Sequence, residues 1–122
     1  MSKEDRAYCA GLFEGEGHIG CYIKKNPKGY MVRNLTLSIG MQNKEPLELV
    51  QDILNVGSLK GPYRNKMYIY AVRNFEHIQF VVCNLWFWLS PRRREQAEIA
   101  LTTFHSFNLV SKISTESNKG EY

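Results

Sequence analysis

Apolar and polar positions follow two different periods along this chain, and each change of period marks a boundary between elements. Ser2 and Asp5 form a capping-box pattern, and the helix they open reads to about Glu16, where Gly17 stops it. From His18 to Lys25 the period falls to two. Ile19, Cys21 and Ile23 share one side, and His18, Gly20, Tyr22 and Lys24 share the other, as in a half-buried strand. Asn26-Pro27-Lys28-Gly29 has the composition of a turn. Alternation then resumes from Tyr30 to Gln42, with Leu35, Leu37, Ile39 and Met41 inward and Asn34, Thr36, Ser38, Gly40 and Gln42 outward.

The second half repeats this plan. Glu45-Pro46 marks a helix start, since proline fits the first turn, and Leu47, Val50, Ile53 and Leu54 keep helical spacing up to Gly57. A short strand over Ser58 to Lys60, a Gly61-Pro62 turn and a strand from Lys66 to Arg73 make a second hairpin. The facing of its last strand is open on pattern alone. Met67, Ile69 and Ala71 compete with Tyr68, Tyr70 and Val72, and we assign the tyrosines outward. Asn74 to Leu89 reads as an apolar helix broken by Ser90-Pro91, and a final helix runs from Arg92 to about Phe107 with Ala97, Leu101 and Phe104 at core spacing. The order predicts an α+β chain: one domain over residues 1–110, then a polar tail over 111–122 expected to be frayed and flexible.

Composition adds a partner to this picture. The 122 residues suit one compact domain, and 43% hydrophobic content suffices for a core. The net charge is only +4, but its placement is uneven. Lys24, Lys25, Lys28, Arg33 and Lys44 fall in a stretch from His18 to Lys44 that holds no acid. Lys60, Arg64, Lys66 and Arg73 fall in a second acid-free stretch between Ile53 and Phe75. Such a layer suits a polyanion, nucleic acid above all, although charge alone also fits a solvated lysine-rich face. The row of small polar groups along Asn34 to Gln42 suits base edges in the major groove, although an ordinary solvated sheet face is commoner for any single strand.

Other chemistries recede. Cys9, Cys21 and Cys83 are odd in number and widely spaced, which argues for a reducing compartment and against a disulfide framework or a zinc ribbon. His18, His77 and His105 lack metal-site spacing. The longest apolar run, around Phe80 to Leu89, is too short for a bilayer, and no apolar leader opens the chain. The expectation is a soluble, intracellular protein with no membrane partner and no small-molecule cofactor.

The end of the first helix is unusual in two ways. Ala7, Gly11 and Gly15 recur every four residues, leaving one stripe of the helix almost bare. Glycine in a helix costs roughly 1 kcal/mol against alanine, so the stripe calls for close approach by another helix, in this case from a second copy. Glu14 and Glu16 lie in the last turn, where the helix dipole disfavours carboxylates by about 0.3–1 kcal/mol each. Either both are merely exposed at a fraying end, or a cation offsets them; carboxylate oxygens of this kind suit Mg²⁺.

Cys9 to Gly17 reads C-A-G-L-F-E-G-E-G. This resembles the LAGLIDADG motif: small residues, an acid, a small residue, a second acid and glycine. Over residues 5 to 106 the element order is similar to the αββαββα core of LAGLIDADG homing endonucleases, with a C-terminal helix added. Cys9 stands where leucine is usual, and Glu16 where aspartate is commoner. The resemblance implies a saddle-shaped antiparallel sheet in the DNA major groove. It implies motif helices that form a subunit interface, through Ala7, Ala10, Gly11, Glu14 and Gly15. Glu16 would bind divalent metal at the helix base, with the Gly15 carbonyl contributing. Mg²⁺ is the expected ion, and Mn²⁺ or Ca²⁺ fit the same site.

The family's DNA-reading positions fall on Tyr22, Lys24, Asn26 and Lys28, and on Asn34, Thr36, Ser38 and Gly40. Lys60, Arg64, Lys66, Tyr68 and Tyr70 are the second hairpin's candidates. A polar residue ending the second strand holds the active-site water in this family, a role for Asn43 or alternatively Gln42. A basic residue after the third helix sits near the scissile phosphate, a role for Arg92 or Arg93, and Arg94 is a further DNA contact. One motif supplies half a site, so the resemblance implies a homodimer on a palindromic or near-palindromic target, cutting double-stranded DNA with staggered 3′ overhangs. An intron RNA maturase and a non-cleaving DNA-binding regulator on the same fold are the alternatives.

Overall fold

The computed structural model describes the backbone of residues 1–120 and side chains through residue 106. Helix α1 spans Lys3–Glu16. Its start is the expected capping box: the Ser2 hydroxyl accepts from the Asp5 amide at 3.0 Å, and the Asp5 carboxylate accepts from the Ser2 amide at 3.4 Å. Cys9, Ala10 and Phe13 form its buried face. Gly17 ends it, donating its amide to the Phe13 carbonyl. A Cβ on Gly17 would lie 2.3 Å from Phe13 Cδ2 and 2.4 Å from Phe13 O, so only glycine lets the chain leave the helix here.

Strands β1 (Gly17–Lys25) and β2 (Met31–Met41) form the first hairpin. Asn26 shapes its turn, accepting through Oδ1 from the Lys28 and Tyr30 amides at 3.0 and 2.9 Å. Helix α2 (Lys44–Leu54) stops where Asn55 turns left-handed. Strands β3 (Ser58–Lys60) and β4 (Tyr68–Val72) form the second hairpin. Helix α3 (Phe75–Leu85) is capped by Asn74, which accepts from the His77 amide, and α4 runs Pro91–Gly120. The expected tail over 111–122 has its side chains outside the described residues.

The four strands make one antiparallel sheet in the order β1-β2-β4-β3. The helices cover one face: α1 and α4 pack on β2, α4 also on β1, and α2 on β3 and β4, while α3 backs α1. Leu35, Leu37 and Ile39 meet Phe13, Val50, Ile78 and Val81 in the core between these layers. Each such side chain contributes roughly 1.5–3 kcal/mol through burial. The distal end of the first hairpin runs past the helices, so Ile23, expected on the buried side, is 58% exposed.

Two expectations change. The apolar stretch from Asn74 is not one helix to Leu89; α3 ends at Leu85, and Trp86–Trp88 form a 3₁₀ turn. Arg94 explains the break, donating to the carbonyls of Trp86 at 3.0 Å and Phe87 at 3.1 Å. Strand β4 also faces the other way. Tyr70 pairs with Ile39 and Tyr68 with Met41, both inward positions, and Tyr70 is fully buried. Its hydroxyl donates to the Val56 carbonyl at 2.7 Å, which lets a tyrosine occupy a core position without an unpaired polar atom.

Candidate functional site

The uncovered face of the sheet is where the acid-free strands lie. Every acid from Glu4 to Glu98 falls in a helix. Side chains alternate along a strand, so the register fixes what the outer face presents. One row across it runs Ser58, Ala71, Ser38 and His18, and the next runs Lys60, Ile69 and Gly40. On the other side Gly20 faces Thr36, Tyr22 faces Asn34, and Lys24 faces Val32. The face is thus small and polar at its middle and basic toward its ends.

Most expected DNA-reading residues are brought together here: Tyr22, Lys24, Asn34, Thr36, Ser38, Gly40 and Lys60 share this face. Lys28, Arg64 and Lys66 are exposed in the hairpin turns at its margins. Asn26 also lies in a turn, but its carbonyl oxygen is already bonded within it. Tyr70 is a correction: a fully buried side chain cannot touch DNA. Burial, and secondarily Cys9, raises its phenol above the ordinary range. Tyr68 is also corrected to the helix side, half-buried, with Lys44 Nζ 5.8 Å from its ring centre. Their places on the outer face go to Ile69 and Ala71, and His18 lies on it with Gly20, Tyr22 and Lys24 as the alternation predicts, although it was not among the expected DNA-reading residues.

The base of α1 separates the two acids. Glu14 points to the start of α4, where its Oε1 accepts from the Ser90 amide at 2.5 Å. A carboxylate poorly placed at one helix C-terminus is therefore well placed at another's N-terminus. Glu14 is thus a structural link within the protomer. Glu16 has no such partner. It is exposed at the last position of α1 and makes no hydrogen bond or ion pair among the described residues.

Three arginines open α4 and point three ways. Arg92 is exposed. Arg94 is held by the 3₁₀ carbonyls, with its guanidinium 5.3 Å from the Trp86 ring centre; its donors serve the fold. Arg93 is 8% exposed and reaches α1: Nη2 donates to the Glu14 carbonyl at 3.0 Å, Nη1 to Gln96 at 3.1 Å, and the group lies 5.3 Å from the Phe13 ring centre. Among the described residues no carboxylate pairs with it, and its Nε is buried without a hydrogen-bond partner. A buried cation without a counter-ion is costly, and an arriving anion would relieve it.

Strand β2 runs past Ile39, which pairs with Gly17, so Gln42 and Asn43 emerge at the same end of the sheet as the base of α1. Both are exposed, and Asn43 makes no cap bond to α2. Glu16, Asn43, Gln42 and Arg93 therefore gather at one end of the fold. Among the described residues no three His, Cys, Asp or Glu side chains converge on one point. The donors at the base of α1, the Glu16 carboxylate and the Gly15 carbonyl, are oxygens, which fit a hard divalent cation whose other ligands are water and phosphate.

Along the outward side of α1, Gly11 and Gly15 are exposed, and a Cβ on either would meet nothing within 4 Å. Ala7 is half-buried beside them. Ala10 is a correction, because it is fully buried in the protomer core with Phe13, three residues on and on the same side of the helix. No helix among the described residues is long and apolar enough to cross a membrane.

A family model described as LAGLIDADG endonuclease matches residues 9–86. Among solved structures, the homing endonuclease I-CvuI, bound to an I-CreI target in the presence of Mg with the DNA not cleaved, superposes with a TM-score of 0.76 at 20% identity. The match covers 85% of this chain and 69% of I-CvuI. The group I intron-encoded homing endonuclease I-CeuI, complexed with DNA, gives 0.77 at 17% identity, over 94% of this chain and 60% of its own. The archaeal intron-encoded I-Vdi141I, also complexed with DNA, gives 0.61 at 24% identity, over 70% and 55%. No curated protein sequence matches the chain. At these identities the structural likeness is one of fold, and it agrees with the sequence match: the chain belongs to the LAGLIDADG endonuclease family.

Proposed function

We propose that this chain is a site-specific double-strand DNA endonuclease that works as a homodimer on a palindromic or near-palindromic site. The observation that carries the reading is the difference between its two motif acids. Glu14 is satisfied inside the protomer, whereas Glu16 has no partner among the described residues and stands beside the open Gly11 and Gly15 stripe. A second copy laid along that stripe would bring its own Glu16 to the same place by two-fold symmetry. The outer sheet face of each copy then reads one half-site, with Lys24, Lys60 and the turn lysines meeting phosphates while Asn34, Thr36 and Ser38 meet base edges.

Glu16 and the Gly15 carbonyl would hold Mg²⁺, and Mn²⁺ or Ca²⁺ suit the same oxygens. When bound, such an ion polarises the phosphoryl group and lowers the pKa of water. Asn43, or Gln42 beside it, accepts a hydrogen bond from the attacking water through its amide oxygen and so orients it. Arg92, exposed at the head of α4, offsets charge developing on the phosphate; Arg93, buried and engaged by the Glu14 carbonyl and Gln96, is the alternative donor. One cut per strand yields staggered 3′ ends. The setting is intracellular, in a mobile intron or a similar locus.

The test is selection of cleaved sites from a randomised palindromic duplex library with Mg²⁺, comparing wild type with Glu16→Gln. Wild type should enrich one palindrome, and the variant should bind it without cutting. Equal cleavage by both would refute the role of Glu16. Binding without cleavage by either would point to a regulator, and a monomeric mass with the selected duplex present would refute the dimer.

A further inference from the structure

The outer face of β1 carries a contact that strand pairing does not require. The Tyr22 ring lies back over Gly20, where an added Cβ would come 2.8 Å from the hydroxyl and 2.9 Å from Cζ. The hydroxyl meets Nε2 of His18, and the two rings stack with centroids 5.8 Å apart and planes 22° apart. His18, Gly20 and Tyr22 share one face of the strand at i, i+2 and i+4, so one unit is built from three consecutive outward positions. Its cross-strand neighbours are Ser38, Thr36 and Asn34, and only Gly17 separates His18 from Glu16. It therefore covers the stretch of the outer face nearest the base of α1.

A tyrosine standing off a strand offers its hydroxyl to a base edge. Here the hydroxyl is turned along the strand and engaged, while the residue remains 49% exposed. What the groove meets is carbon. In the major groove the apolar mark on a base is the 5-methyl group of thymine, and covering hydrogen-bonding edges with a ring would cost their hydration.

We infer that Tyr22 recognises a pyrimidine 5-methyl group through its ring, with His18 and Gly20 as positioning residues that keep the ring flat. The inference rests on the DNA-reading role proposed above for this face. Thymine and 5-methylcytosine both carry the group. The polar row on β2 would then specify the neighbouring bases by hydrogen bonding, so the two strands read by different means.

The test needs binding only. Wild type first selects sites from a randomised palindromic duplex library without added magnesium, and the selected duplex is resynthesised with each thymine replaced in turn by deoxyuridine. One position per half-site should lose affinity about fourfold on removal of its methyl. At that position a 5-methylcytosine pair should bind better than a cytosine pair by the same factor. His18→Ala and Gly20→Ala should each bring the thymine-to-uracil ratio close to one there and leave it unchanged elsewhere, which a general loss of fold would not do. Tyr22→Phe, which keeps the ring but loses the tether, should lower the ratio as well. A wild-type protein indifferent to every methyl, or variants that keep the ratio, would overturn the inference while leaving DNA binding intact. Selection of no duplex at all would instead defeat the DNA-reading role itself.

Discussion

Replacing Gly17 by alanine tests the geometry that holds Glu16 in place. The new Cβ would sit 2.3 Å from the ring of Phe13, which is 1% exposed, and 2.4 Å from the Phe13 carbonyl oxygen. Neither neighbour is free to yield, because the ring is packed in the core and the oxygen is helix backbone that also accepts the Gly17 amide. Overpacking of this kind costs about 1–3 kcal/mol, and lengthening the cap bond adds about 1 kcal/mol. The lower entropy of an unfolded alanine returns about 0.4–1 kcal/mol. The expected net loss is therefore about 2 kcal/mol, a large share of the roughly 5–15 kcal/mol typical of a domain. Urea unfolding followed by the fluorescence of Trp86 and Trp88, at fixed protomer concentration, reads this as a lower midpoint with an unchanged slope. A loss below about 0.5 kcal/mol, within the range of inert surface changes, would refute the claim that close approach dictates glycine here.

Other changes separate fold from function. Gly11→Leu enters open space in the protomer, so circular dichroism should keep its native form while sedimentation reports loss of the dimer; a persistent dimer would exclude this stripe as the interface. Tyr70→Phe leaves the Val56 carbonyl without its donor and should cost about 1–2 kcal/mol of stability, yet DNA affinity should hold, and a selective loss of affinity would contradict the inward facing of β4. Burial, and then the charge of Asp5, pushes the Cys9 thiol from 9.0 up to about 11. The folded state retains this proton longer, so the contribution is fully present below the ordinary thiol value and is lost as pH rises through about 11. At pH 8 iodoacetamide should label the exposed Cys83 and spare Cys9, and equal labelling would contradict the buried environment.

The element order was legible because each period change in the sequence corresponds to a real boundary, and β1 and β2 alternate with one polar side. Strand β4 was not, because both of its alternating sets are largely apolar. What decides it is tertiary: Tyr70 has a core position only because the Val56 carbonyl waits there for its hydroxyl. The α1 stripe of Ala7, Gly11 and Gly15 was legible as spacing, whereas Ala10 was placed at the interface only by the family resemblance, and its helical phase puts it in the core with Phe13. Three successive arginines leave a helix about 100° apart, and nothing in their identity says which one turns inward. The engagement of Glu14 by Ser90 spans 76 positions of sequence, a distance at which no local pattern carries information.

The paired contacts between α1 and α4 have a consequence for how the protein could change. Glu14 takes a hydrogen from the head of α4 while Arg93 gives one back to the foot of α1, so the two helix ends are locked in reciprocal fashion. The end of α1, and Glu16 with it, is thus held by a joint between helices as well as by its continuation into β1 at Gly17. On the proposed function, substitutions on the outer rows of the sheet would change which bases are accepted while this joint keeps the carboxylate in place. A frame of this kind would separate target choice from chemistry, so that on the proposed function a lineage of such chains drifts to new sites one outward side chain at a time.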